Sequence, residues 1–181
     1  VIADEDNEPE WIALDLLSQA EHDKSAQSIL ITTSQKLADL VEKEIEKILL
    51  SLGRRDIAGP SWNNFGTIIT VPTLEVAADL SNKIAPEHLE LCVAKPKELL
   101  KKISNAGSVF MGYWTPEAVG DYIGGSNHVL PTARSARFSS GLSVMDFIKR
   151  TTTTFVSQEA LRAIGPSIET LAACEGLEAH G

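Results

Sequence analysis

Residues 28–35 read Ser28-Ile29-Leu30-Ile31-Thr32-Thr33-Ser34-Gln35, and the reading of this stretch decides the fold. Its first half is a short, apolar, β-branched run of the kind found in strands buried on both faces. Ser34 then stands where an N-cap is wanted, because its hydroxyl can take up a backbone N–H left free by the first helical turn. Leu37, Leu40, Val41, Ile45, Ile48 and Leu49 follow at helical spacing, and Gly53 ends the run. Working outward, residues 66–71 read as a strand, Thr73 to Ile84 as a helix and Leu89 to Val93 as a strand. A helix at Pro96 to Asn105 and a strand at Ser108 to Gly112 come next. Upstream, Val1-Ile2-Ala3 looks like the tail of a strand, and Pro9 to Ala20 forms a helix with Ile12, Leu16, Gln19 and Ala20 near one face. Strand–helix alternation of this kind predicts an α/β fold, a mostly parallel sheet covered by helices.

From Gly112 to Gly141 the periodicity disappears and Gly, Ser, Pro and Thr become frequent. Compact domains seldom keep so long an irregular stretch unless it binds something, and this one holds Asp121, Asn127, His128, Arg134 and Arg137. From Val144 the chain reads as helical, with a β-branched interruption at Thr151 to Phe155 and a capped restart at Ser157-Gln158-Glu159. The expected organisation is an α/β portion over residues 1–142 and a small helical unit over residues 143–181.

The chain has 181 residues and a net charge of −9, which argues against a nucleic-acid partner. No apolar run is long enough for a membrane span, and the N-terminal residues lack the basic start of a signal peptide. The absence of an initiator methionine, with Val1 already inside an apolar run, leads us to expect a chain cut from a longer one. Cys92 and Cys174, without metal-like spacing, read as buried thiols of a reducing compartment, with a disulfide between them the less favoured alternative.

Candidate chemistry gathers around the histidines. In Ile84-Ala85-Pro86-Glu87-His88-Leu89-Glu90, the proline excludes Ala85 from the helical region and puts Glu87 and His88 on a turn entering a strand. A carboxylate beside an imidazole suits general acid–base work near neutral pH, although Glu-His dipeptides are common. Gln19 and His22 share a face at the end of the first helix, and both side chains can ligate a metal. They read equally as a polar last turn in which His22 complements the helix dipole. Asp121 and His128 flank Gly124-Gly125, where backbone can approach a ligand, or else belong to an ordinary surface loop. Arg134 and Arg137 are either carboxylate-gripping or solvated. Glu175 and His180 straddle Gly176 in what reads as a frayed tail. No HExxH, P-loop, GxGxxG or GxSxG pattern occurs.

Taken together, Leu16 to His22, Pro86 to Leu89, Gly107 to Phe110, Gly120 to Tyr122, Asn127 to Thr132, Asp146 to Arg150 and Glu175 to His180 resemble histidinol dehydrogenase, in order and spacing along nearly the whole chain. The resemblance implies an incomplete Rossmann-like domain and NAD-linked, zinc-dependent oxidation of L-histidinol to L-histidine. It implies zinc held by Gln19, His22, Asp121 and His180, these four also meeting the substrate. It further implies acid–base roles for Glu87 and His88, and substrate contact by His128 and Glu175. A homodimer is implied, with His180 completing the neighbouring subunit's site, and a cytoplasmic location, or a plastid in a plant. Family chains are much longer, so the domain with most of the NAD site is expected N-terminal to Val1. The alternative is a non-catalytic fragment that binds zinc or an imidazole ligand and dimerises.

Overall fold

The computed structural model describes all of Val1–Gly181. Strands β1 (Ile2–Ala3), β2 (Ile29–Thr32), β3 (Thr67–Thr70), β4 (His88–Cys92) and β5 (Ser108–Met111) form an all-parallel sheet in the order β3-β2-β1-β4-β5. This is the α/β architecture that the alternating sequence predicts. Side chains alternate across each strand, so the sheet has two apolar faces. Ile2, Ile31, Leu89 and Leu91 pack beneath α4 (Leu74–Ile84) and α5 (Pro96–Leu100). Ala3, Leu30 and Cys92 pack on the other face beneath α1 (Pro9–Ala20), α2 (Gln35–Ser51) and α3 (Arg55–Phe65). Glu90, two residues from both His88 and Cys92, belongs to this second face and is buried there.

The helix starts follow from local chemistry. Ser34 Oγ accepts from Leu37 N (3.2 Å), and Thr73 Oγ1 accepts from Val76 N (3.3 Å). Pro9 opens α1, where a missing N–H costs nothing. At the carboxyl edge, between β1 and β4, the Asp4 carboxylate accepts from Tyr113 OH at 3.0 Å and from Ala94 N at 2.8 Å. Asn7 Nδ2 donates to Cys92 O at 2.8 Å. These bonds lie at the strand-order reversal between β1 and β4, the position where open α/β sheets commonly bind ligands.

Several elements depart from expectation. Helix α3 lies where no element is expected, and α5 stops at Leu100 instead of reaching Asn105. Asn82 explains the early stop: its amide donates to Lys102 O (2.8 Å), and its Oδ1 accepts from Ser104 N (2.8 Å) and Asn105 N (3.2 Å). The backbone groups that a longer helix would pair are thereby taken. The irregular stretch after Gly112 contains α6 (Glu117–Tyr122) and a 3-10 turn at Ser135–Arg137. From Val144 only a 3-10 turn, Val144–Phe147, precedes the expected interruption instead of regular helix, while the capped restart at Ser157 is as expected and opens α7 (Gln158–Glu175). Cys92 is buried as expected, but Cys174 is exposed, being on the solvent side of α7.

The chain divides into two compact units, Val1–Met145 and Asp146–Gly181. In the second, Gly176 takes a left-handed φ of 72° and ends α7, and Leu177 N folds back to Ala172 O at 2.9 Å.

Candidate active site at the amino edge of the sheet

Ala85 closes α4 with φ 54°, outside the right-handed helical region from which Pro86 excludes it. The chain thus turns sharply and enters β4 at His88, so Glu87 stands immediately before the strand. Two backbone bonds to the start of β5 hold this entry: Gly107 N donates to Pro86 O (3.0 Å), and Ser108 N donates to Glu87 O (2.8 Å). Strand alternation turns the His88 side chain to the face covered by α1. There α1 presents Asp15 and Gln19, four residues apart on one face, and His22 follows in the turn just past the end of the helix at the amino edge of the sheet.

Helix α6 supplies the other wall. Glu117 and Asp121, four residues apart, share a face directed at the imidazole. His88 Nδ1 lies 3.5 Å from Glu117 Oε1, and His88 Nε2 lies 4.0 Å from Asp121 Oδ1. The Phe110 ring is centred 6.0 Å from the imidazole, and Gly120 lets α6 approach Phe110 closely. The result is a cleft of about 930 Å³ lined by Gln19, His22, Glu87, His88, Glu117 and Arg134 among others, a size suited to a small molecule.

Burial dominates the electrostatics. It raises the Glu87 carboxyl above its ordinary range, aided by the negative charge of Asp121 and opposed by His22. It lowers the His88 imidazole, aided by His22 and outweighing the upward pull of Asp121, which favours the neutral ring that can accept a proton. Glu117 is pushed up to about 7, first by burial and then by Asp121. Behind them, Glu90 is raised well above the ordinary carboxylate range by burial and then by Asp15, which is itself raised by burial.

His22 is pre-set as a ligand. Its Nδ1 lies 2.8 Å from Ser18 O, a carbonyl that can only accept, so Nδ1 carries a hydrogen and, in the neutral ring, Nε2 is the nitrogen with the lone pair. Gln19 lines the same cleft, and His88, Glu117 and Asp121 offer ligand atoms within 4.8 Å of one another. This mixed nitrogen and oxygen donor set, with one imidazole tautomer already selected, fits a divalent metal such as zinc.

The first unit therefore brings together Gln19, His22, Glu87, His88 and Asp121. His128 is not among the cleft-lining residues; it is exposed on the loop after α6, where Asn127 Oδ1 accepts from Val129 N (2.8 Å). Glu175 is the last residue of α7 and His180 lies in the closing 3-10 turn, both exposed in the second unit. Arg134 and Arg137 grip no carboxylate; both donate to Lys83 O, at 2.6 Å and 2.5 Å, and so cap the end of α4. Sequence reasoning missed Asp15, Glu90 and Glu117. The available signals were position: Asp15 is four residues before Gln19, Glu90 two after His88, and Glu117 four before Asp121.

Comparison with known proteins adds an independent line. A family model described as histidinol dehydrogenase matches residues 1–181. The histidinol dehydrogenase of Ruegeria pomeroyi is 64% identical over 181 residues, covering 100% of this chain and 42% of that protein. That of Cereibacter sphaeroides is 61% identical with the same coverage. The crystal structure of histidinol dehydrogenase from Elizabethkingia anophelis superposes with a TM-score of 0.88 at 41% identity, covering 99% of this chain and 41% of the other. The chain thus spans less than half the length of these relatives.

Proposed function

The chain belongs to the histidinol dehydrogenase family, and we propose that it carries the acid–base and metal-binding residues for zinc-dependent, NAD-linked oxidation of L-histidinol to L-histidine through histidinal, the last step of histidine biosynthesis. The observation that carries this reading is the pair at the entry to β4. Glu87, its carboxyl raised by burial, and His88, its imidazole lowered by burial, line one cleft together with His22 and Gln19.

In the first oxidation His88 takes the hydroxyl proton as the carbinol carbon gives up its hydride. In the second, Glu87 takes a proton from the water that attacks the aldehyde carbon, giving a hydrate that yields its remaining carbon-bound hydrogen as hydride. Zinc, when bound, acts as a Lewis acid and orients the substrate's amine and imidazole. Gln19, His22 and Asp121, with His180, would hold it, and His128 and Glu175 would contact substrate. NAD would be the oxidant. No segment of this chain has the glycine-rich pattern that cradles a diphosphate, so none of its residues is assigned to that cofactor. A homodimer, in which His180 serves the neighbouring subunit's site, and a cytoplasmic location belong to the same reading. No helix is long and apolar enough to cross a membrane.

In the full-length protein, Glu87→Gln and His88→Gln should each lower turnover by about 10²–10⁴-fold, the usual size of a general acid–base contribution. Zinc content should be unchanged, and full activity in either variant would remove the assigned role. The chain's coverage of only 42% of its relatives favours one second reading, that this chain by itself is a zinc- or imidazole-binding, dimer-forming module without turnover. Calorimetry with zinc and histidinol, beside NAD reduction by the 181-residue chain, separates the two.

A further inference from the structure

The proposed function does not use Glu117, yet this carboxyl is buried directly beside the imidazole of His88. Glu117 is 5% exposed and its side chain ends 3.5 Å from His88 Nδ1. On the far side of the ring, Nε2 is buried and has no hydrogen-bond partner. Buried polar atoms are nearly always paired, and the exceptions cluster where a reacting group is to be met. The two nitrogens therefore differ: the buried carboxyl of Glu117 lies 3.5 Å from Nδ1, while Nε2 makes no hydrogen bond and has Asp121, already assigned to the zinc, 4.0 Å away.

We propose that Glu117 is a positioning residue for His88: its carboxylate accepts the Nδ1–H, selects the tautomer whose Nε2 lone pair is bare, and aims that nitrogen at the hydroxyl proton of the substrate. The inference rests on the reading of His88 as the general base. It is the logic by which a carboxylate orients a catalytic imidazole without itself taking the proton. At 3.5 Å the contact is longer than a formed hydrogen bond, as is common before substrate closes a site. The fold makes the placement durable. Glu117 lies in the first turn of α6, and the absence of a side chain on Gly120 lets α6 approach the Phe110 ring, which in turn flanks the imidazole. The Glu117 carboxyl cannot swing to solvent without opening that packing.

The test uses the zinc-loaded full-length protein with Glu117→Leu and Glu117→Gln. Leucine keeps the volume, removes the acceptor and relieves a buried carboxyl, so the variant is expected to fold at least as well as the parent. Turnover of histidinol should fall about 10–100-fold in E117L, the usual cost of losing a residue that orients a first-line group. Histidinol affinity and zinc content should stay close to the parent's, because in this assignment Glu117 touches neither zinc nor substrate. E117Q retains an oxygen acceptor and should recover most of the lost turnover. A crystal structure of E117L should show the His88 ring rotated or in two orientations. Unchanged turnover in E117L overturns the proposal. So does a loss of zinc or of histidinol affinity that accounts for the fall, which would make Glu117 a ligand instead, and so does an unmoved ring. If the parent protein itself fails to oxidise histidinol, it is the proposed function that falls.

Discussion

A Cβ placed on Gly107 would lie 2.5 Å from the carbonyl oxygen of Glu87. That oxygen already accepts from Ser108 N, so the bare glycine is what allows β5 to hold the turn that displays Glu87 and His88.

Gly107→Ala should therefore cost about 1–3 kcal/mol, the range for forcing extra atoms into a packed site. It should also lower turnover, because the strain falls on the Glu87–His88 entry. Gly59, inside α3 with nothing within 4 Å of an added Cβ, is the control. Gly59 precedes Pro60, whose ring crowds a Cβ on the residue before it, so the helix-propensity gain of Gly59→Ala is offset and its net effect should stay within about 1 kcal/mol of zero. Chemical denaturation of both variants checks the contrast; equal effects would show that the Gly107–Glu87 approach is not a constraint.

The buried carboxyl of Glu90 gives a stability that depends on pH with a definite sign. Its native value is raised by burial and by Asp15, so the native state holds its proton more tightly than the unfolded chain does. The associated stability is fully present below the ordinary carboxylate value and is lost as pH rises through the native value. Glu90→Gln should thus be more stable than the parent at neutral pH and show a flatter fall in stability above the carboxylate range. Thermal melts between about pH 4 and 8, the span in which such linkage operates, measure it. A parent whose stability rises over that span at the expense of no other group would contradict the assignment.

Arg134 and Arg137 donate to one acceptor, the Lys83 carbonyl at the end of α4. Each is exposed, so Arg134→Ala or Arg137→Ala alone should cost less than about 1 kcal/mol while the other remains. The double substitution leaves the carbonyl without either guanidinium, and its cost should exceed the sum of the single costs by about 0.5 kcal/mol or more. Strict additivity in a double-mutant cycle would mean that the two side chains do not share this role.

Much of the architecture was readable before any coordinates, and particular residues show why. The run Ile29 to Thr32, the Ser34 cap and the apolar stripe of α2 are short-range signals, each complete within a few residues. Helix α3 was not readable, because Gly59, Pro60, Asn63 and Asn64 all argue against a helix. It forms because burial of Ala58 and the bond from Ser61 Oγ to Ala26 O (2.9 Å) outweigh propensity. Helix α6, six residues with a central glycine, depends likewise on packing against Phe110.

For the site, the chain order displayed Glu87-His88 and the Gln19/His22 pair, but each stood beside an ordinary alternative. Period and local chemistry determined the strands, the helices and the faces on which these residues sit, because alternation and helical spacing are properties of adjacent residues. Only the tertiary structure decided that the faces of α1, β4 and α6 meet at one edge of the sheet. That meeting buries Glu117 and Glu90 against the imidazole's side of the sheet and moves their proton affinities. The pairs 15 and 22, 88 and 90, and 117 and 121 are distant from one another in the chain, and burial is a property of what they pack against, which no local pattern encodes.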